Sequence, residues 1–576
     1  MPTEHEVIPG TDVYGPGTYI DKHFIPVPED ARRVFELLAK ATPGFTEDPR
    51  VLDSVSFEGS LEPIISGPIK APVVAAALHA MCGVVANEIL EQAHGEKEHE
   101  RRVTINTDHA ALWLGSVFAV KINGSSASDI LLAGGLPALF KRDFEHGAFG
   151  NPLRLRTTAL YPTKKPDVWY QLHGSLNADP VLASIGVAPD TKCTREEAYD
   201  LIREHVQKFT AEELDMMNVK NGFCGSTCYT PAAWRETLMG KRLEKHPLVN
   251  YTRESYAIPT PPTPRPAGLT DKRPLAGIKV VELVRIIAGP VIGSTLAAFG
   301  ADVIRVNCSR LPDINALQLA LNAGIRTIDL DLTNDEDLAR LHELVQDADV
   351  FIGGFRPGAL ARKGLSLHNM LEMAGKRGKG IVYVEENCYG PDGPFYDRPG
   401  WQQIGDAASG SSYVTGRALG HTDGTCVLPP LPISDMVTGL IGALGALMAI
   451  RDRATLGGSY HVLSSLVAAD TISLTPEVGL YSPEVVKKNA DTFQWDPMGP
   501  AQFVIELLLV MMKGWQAVYP EYFAENSPFM AKFEDSHWGA MEVVKPVVRL
   551  GDEAATPHWV SPPVPHCYHD RNISWL

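Results

Sequence analysis

Gly277-Ile-Lys-Val-Val-Glu-Leu283, then Ala288-Gly-Pro290, then Gly300-Ala-Asp-Val-Ile-Arg-Val306: these three runs decide the fold class of the chain. The first is a short, largely apolar run of strand length and reads as a buried strand. The second opens a helix, with Pro290 suited to its first turn, and Gly300 stops that helix. Asp302–Val306 is the next strand, so strand, helix and strand fit the roughly 30 residues of a βαβ unit. Further out, Thr327-Ile-Asp-Leu330, Val350-Phe-Ile352 and Gly380-Ile-Val-Tyr-Val384 read as strands. A helix with capping-box spacing opens at Thr333-Asn-Asp-Glu336, and another is capped near Ser366. Strands alternating with helices predict an α/β fold with a parallel, doubly wound sheet. The first strand-to-helix turn lacks G-x-G-x-x-G, so a dinucleotide is not indicated, although the helix start is a generic anion site.

At 576 residues the chain is too long for one core and should form two or more domains. The proline-rich stretch Ile258-Pro-Thr-Pro-Pro-Thr-Pro-Arg-Pro266 cannot continue a helix or join a sheet interior, and it reads as a spacer. Taken with the resemblance set out below, the expected organisation is a lead segment 1–70, a module 71–257, a linker 258–272, the doubly wound domain 273–480, and a reduced small domain with a tail at 481–576. An amphipathic helix is expected around Ala31–Ala41. Two stretches share one pattern. Ala71–Ala111 and Thr438–Ala469 each run from an apolar helix through a charged break to a short strand and small residues. Either they are two copies of one unit, in which case Asp435 matches a position at or next to Ile69, or two apolar helices are alike by chance.

Net charge is −17 with no basic cluster, which argues against nucleic acid and anionic membrane surfaces as partners. No window is expected to span a membrane, and the N-terminus lacks the basic and apolar regions of a signal peptide. Eight scattered cysteines suit reduced thiols in an intracellular, cytoplasmic setting, with mitochondrial or peroxisomal location not excluded. Cys224 and Cys228 form one C-x-x-x-C with no second pair, so no metal is expected. Asp435, in Leu428-Pro-Pro-Leu-Pro-Ile-Ser-Asp435-Met-Val-Thr-Gly-Leu440, is a lone carboxylate before a buried helix. It could cap that helix, as could Ser434, or act as a nucleophile that is ionised at neutral pH without an activating base.

From residue 273 to residue 435 the chain is similar to the family III CoA-transferases, also called the CaiB/BaiF family. The matching pieces are Arg273-Pro-Leu-Ala-Gly-Ile-Lys-Val-Val-Glu-Leu283, Ile287-Ala-Gly-Pro290, Gly300–Val306, Arg326-Thr-Ile-Asp-Leu-Asp-Leu332 and Ala348-Asp-Val350. Gly354-Phe-Arg-Pro-Gly-Ala-Leu-Ala-Arg-Lys-Gly364, Tyr389-Gly-Pro-Asp-Gly-Pro394 and Pro432-Ile-Ser-Asp435 follow in the family's order. The N-terminal half is more loosely similar to the later part of the family, through Leu153-Arg-Leu-Arg156 and Trp169-Tyr-Gln-Leu-His-Gly174. The resemblance implies a Rossmann-like CoA-binding domain plus a smaller α+β domain, with a degenerate partial copy at 71–257. It also implies either a homodimer or an internal pseudo-dimer.

It further implies an acyl-CoA:carboxylate CoA-transferase in which Asp435 attacks the thioester, giving a mixed anhydride and then an aspartyl-CoA thioester. The partners would be a small acyl-CoA and a carboxylic acid, with coenzyme A as part of the substrate and no permanently bound cofactor. Arg285, Ile286, Ala288, Arg310, Leu330, Gly354 and Arg362 match CoA-contacting positions, and Trp401 and Gln402 match the substrate pocket. Racemases resembling this family need a histidine where Trp401 stands. An indole cannot take up a proton, so transferase is favoured over racemase or epimerase. His421 and His461 are nearby in sequence but read as structural or solvated. A catalytically silent CoA-binding scaffold is the rival from a different class.

Overall fold

The computed structural model describes residues 5–95, 101–266 and 268–576. Residues 1–4 of the lead segment, 96–100 of the charged break and Ala267 of the linker lie outside the described residues. Seven strands form the central sheet: β1 (Asn250–Glu254), β2 (Lys279–Leu283), β3 (Asp302–Asn307), β4 (Arg326–Asp329), β5 (Val350–Gly353), β6 (Val382–Asn387) and β7 (Ser459–Ser465). Their order is β1-β7-β6-β5-β2-β3-β4. β2 to β7 are parallel, and β1 pairs antiparallel with β7. Counted from β2, the parallel strands run 3-2-1-4-5-6, the doubly wound order, with its crevice where the order reverses between β2 and β5. The sequence-predicted strands are therefore all present, with ends moved by up to three residues. The helix after β4 is capped differently from expectation. Asn334, not Thr333, accepts the first-turn amides, because its side chain reaches both Glu336 and Asp337. Ser366 does close a capping box with Asn369.

Two 24-residue helices, Ala71–His94 and Ile433–Leu456, form the middle of the molecule and pack against each other. Contrary to the sequence expectation, both are long and apolar enough to cross a membrane by length and composition, yet nearly all of each is buried. Their small residues explain this, since they let neighbouring backbones approach closely. A Cβ on Gly439 would lie 2.5 Å from Val291 and 2.6 Å from the Ala288 carbonyl oxygen, and one on Gly442 would lie 2.7 Å from Ile292. The Ile433–Leu456 helix can thus lie directly on the Ala288–Ala298 helix that follows β2.

By place in its helix, Asp435 corresponds to Val73 rather than to Ile69, because the earlier helix begins at Ala71. Just before it, Lys70 is fully buried, with its ammonium 2.5 Å from Asp21 and 2.7 Å from Asp30. The amphipathic helix in the lead segment is present, at Val27–Ala41.

Strand pairing crosses the proline-rich segment in several places. β1 joins the central sheet from the N-terminal side, while Arg549–Leu550 pairs with Val103–Asn106. Met541–Val544 pairs with Lys121–Ile122. Arg156 forms a two-pronged ion pair with Glu506, at 2.6 and 3.0 Å. The proline-rich segment itself is docked rather than free, a correction to its reading as a spacer. Thr263 N–H donates to the Arg453 carbonyl and Gly458 N–H to the Thr260 carbonyl, which fixes the segment to the end of the Ile433–Leu456 helix. The C-terminal tail covers the sheet edge at β4, where Thr327 exchanges hydrogen bonds with Tyr568 and His569.

Candidate active site

Three cavities run end to end along the crevice at the carboxyl ends of the strands. The outer one, about 390 Å³, is lined by Arg285, Arg310, Leu330, Thr333, Phe355 and Lys363 among others. Arg285 and Phe355 also line the middle cavity of about 380 Å³, together with Ala288, Gly354, Arg356, Glu386, Trp401 and Asp435. Asp435, Ile286 and Trp401 continue into the inner cavity of about 110 Å³.

Of the residues singled out from sequence, nine line this row of cavities and one does not. Arg362 is exposed, donates to the Gly358 carbonyl at 3.4 Å, and lines none of the three. The loop turns it outward and places its neighbours Lys363 and Arg356 on the cavity walls instead. Arg310 lines the outer cavity but is held by Asp331 and by Thr333 Oγ1 at 2.7 Å. The Arg285 guanidinium lies 5.3 Å from the Phe355 ring and donates to the Pro312 carbonyl. Next to it Ile286 has φ of 68°, a left-handed conformation that costs a β-branched residue energy and that the surrounding turn enforces. Gly354 sits across the crevice, where a Cβ would lie 3.2 Å from Glu386 Oε2.

Asp435 is the third residue of its helix and 7 % exposed. Neither it nor Ser434 caps that helix; the cap position is Pro432, with no side-chain bond. The carboxylate has no hydrogen-bond donor or cation on it among the described residues. Burial therefore pushes it up to about 7, so it is about half ionised at pH 7 rather than fully ionised as expected from sequence. Glu386, on the same cavity wall, is pushed up to about 8 by burial and then by the Asp435 charge. Behind them Asp406 and Asp470 are neighbouring carboxyls, and burial holds both well above the usual carboxylate range.

Gln402 Nε2 donates to Asp406 at 2.9 Å and to the Leu431 carbonyl, so its amide is fixed behind the cavity wall. Trp401 stacks on His173, with ring centroids 6.0 Å apart, and its indole N–H reaches Ser175 Oγ at 3.3 Å.

His173 escaped the sequence reading because it lies 262 residues from Asp435 in the chain; only the edge of the Ala159–Pro162, Trp169–His173 and Cys224–Thr227 sheet brings it here. Its Nδ1 accepts the Ser175 N–H at 2.8 Å, which leaves Nε2 to donate to Gln403 Oε1 at 3.0 Å. Both nitrogens are occupied, and burial lowers the ring to about 4. His461 pairs with Glu385 on the sheet, and neither it nor His421 lines the cavities.

Residues 275–498 match the profile of CoA-transferase family III. An acyl-CoA transferase of Gibberella moniliformis is 44 % identical over 564 residues, covering 97 % of this chain and 98 % of that one. The chain belongs to CoA-transferase family III. An acetyl-coenzyme A transferase of Hypoxylon pulicicidum is 34 % identical over 76 % of this chain and 75 % of its own. The human succinyl-CoA:glutarate CoA-transferase is 30 % identical over 36 % of this chain and 49 % of its own. As a CoA-transferase, the protein is an enzyme whose family chemistry is the transfer of coenzyme A.

Proposed function

We propose that this CoA-transferase moves coenzyme A from an acyl thioester to a carboxylic acid, with Asp435 as the covalent nucleophile. The supporting observation is that Asp435 stands where the middle and inner cavities meet, with no donor or cation occupying its oxygens. A carboxylate serving only the fold would be paired or capping.

CoA enters with its nucleotide in the outer cavity, where Arg285, Arg310 and Lys363 face the phosphates and Leu330 faces the base. Arg356 and the backbone around Gly354 and Ala288 flank the pantetheine arm. An Asp435 oxygen attacks the thioester carbonyl carbon, the C–S bond breaks, and CoA thiolate departs to leave a mixed anhydride. The thiolate then attacks the Asp435 carbonyl carbon and releases the donor acid, giving an aspartyl-CoA thioester. The acceptor carboxylate attacks that thioester, thiolate leaves again, and its attack on the acceptor's carbonyl carbon frees Asp435 and the new acyl-CoA. Glu386 in its neutral form hydrogen-bonds the departing thiolate while keeping its proton, so no second negative charge forms beside Asp435.

A racemase needs a second base at the α-carbon. Trp401 cannot accept a proton, and His173 is held neutral with both nitrogens engaged. The N-terminal half supplies His173, Ser175 and Phe118 to the cavity walls, which supports reading the chain as an internal pseudo-dimer.

Exchange of labelled CoA between two acids tests the reaction. Asp435→Asn should lower it by about three orders of magnitude or more, as loss of a nucleophile does. Full exchange in that variant, or α-carbon deuteration without exchange, would exclude the proposal.

A further inference from the structure

We propose that the inner cavity selects apolar monocarboxylic acyl groups and turns away dicarboxylic ones. This rests on the assignment of Asp435 as the acylated residue, since that assignment makes the inner cavity the acyl site. Its walls are apolar and come from both halves: Phe118 and Phe149 from one, Ile286, Leu317, Phe503 and Leu508 from the other. The polar groups on its wall are turned to one another rather than to an occupant. His173 is bonded to Gln403, and Gln402 to Asp406.

A second carboxylate at the far end of an acyl chain would need a cation, as buried charges do. Among the described residues lining the cavity, Arg154 is the one cation, and Asp179 holds its guanidinium at 2.7 and 2.9 Å. The other charged residues lining the cavity besides Asp435 are acids. Asp313 binds the Ile314 N–H at 2.8 Å, and Glu145 binds the Asn315 N–H at 2.9 Å. Arg285 lines the outer and middle cavities but not the inner one, so it faces the CoA side of this acidic collar.

The volume of about 110 Å³ holds roughly four water-sized groups at about 30 Å³ each. That suits a chain or ring of several carbons. The human relative, by contrast, is named for two dicarboxylates.

Dissociation constants of acetyl-, butyryl-, hexanoyl- and succinyl-CoA for the full-length Asp435→Asn variant test the cavity without chemistry. Affinity should rise about fourfold per methylene, from about 0.8 kcal/mol per buried methylene and 1.4 kcal/mol per factor of ten. Succinyl-CoA should bind at least on the order of a hundredfold more weakly than butyryl-CoA. Ile505→Lys, at a partly exposed position on the cavity wall, should narrow that gap by about tenfold or more.

Equal binding of succinyl- and butyryl-CoA, or a flat series from acetyl to hexanoyl, would overturn the inference. Labelling of the parent enzyme reads the nucleophile separately. If no thioester labels Asp435, the covalent reaction is lost while the binding series still judges the cavity. If succinyl-CoA labels as fast as butyryl-CoA, the apolar class is lost and the reaction stands.

Discussion

Asp435 and Glu386 are two carboxyls on one cavity wall with no cation against them among the described residues, and their protonation sets what the enzyme can do. The working form has Asp435 ionised and Glu386 neutral, so kcat/KM should rise with pH through about 7 and fall again through about 8. The two limbs belong to the pair as a unit. Glu386→Gln keeps a donor but cannot ionise, so a pH–rate profile of that variant should lose its alkaline limb. Retention of that limb would remove Glu386 from the reaction.

The same raised values carry a stability consequence. A group whose folded-state pKa lies above its unfolded value of about 4 contributes stability at low pH, and that contribution is lost as pH rises through the folded value, here about 7 to 8. Asp435→Asn should therefore be more stable than the parent at pH 9, by about one to a few kcal/mol in chemical denaturation, and no more stable at about pH 3, below both values. Arginine partners offer a second contrast. Arg356→Ala should raise KM for the acyl-CoA roughly tenfold, the size of a lost hydrogen bond between charged groups, while Arg362→Ala should leave it unchanged.

At the scale of elements, the site depends on how closely the Ile433–Leu456 helix lies on the Ala288–Ala298 helix. Gly439 marks that crossing, and two forces oppose each other there. Alanine would favour the helix by up to about 1 kcal/mol, but its Cβ meets Val291 and the Ala288 backbone well inside contact distance. Overpacking of this kind costs about 1–3 kcal/mol and should win. Gly439→Ala should lower the thermal midpoint and CoA affinity together, because Ala288 lies at the mouth of the crevice. An unchanged or higher midpoint would contradict the packing account.

These local elements were legible in the sequence because each carries its own signal: the β2 and β3 runs, the stop at Gly300, the cap at Ser366. The cap at Asn334 was misplaced by one residue, since Thr333 has the same side-chain chemistry and spacing alone cannot rank two adjacent caps. The buried helices were not recognised as membrane-length because their Ala and Gly content signals close packing more than lipid contact.

For the whole molecule, the pattern of charge and strands was readable, but the way the halves interlock was not. The pairing of Arg549–Leu550 with Val103–Asn106 joins strands more than 440 residues apart in the chain, and no local pattern encodes such a distance. The same long-range assembly hid His173 from the sequence reading, whereas Asp435 stood out through the family resemblance of Pro432-Ile-Ser-Asp435.

If the chain is a pseudo-dimer complete in itself, fragments 1–266 and 267–576 should each be inactive alone and should regain activity when co-expressed. The intact chain should be fully active at a solution mass of one copy, 62.7 kDa. Activity confined to a species of twice that mass would show that a second chain completes the site.

The central claim is that Asp435 carries the acyl group and then coenzyme A. Incubating the enzyme with butyryl-CoA, quenching with hydroxylamine and mapping the peptides by mass spectrometry tests it most directly. The account predicts a hydroxamate at Asp435 that forms only when thioester is present and is absent from Asp435→Asn. Modification at another residue, or none while CoA exchange proceeds, would contradict it.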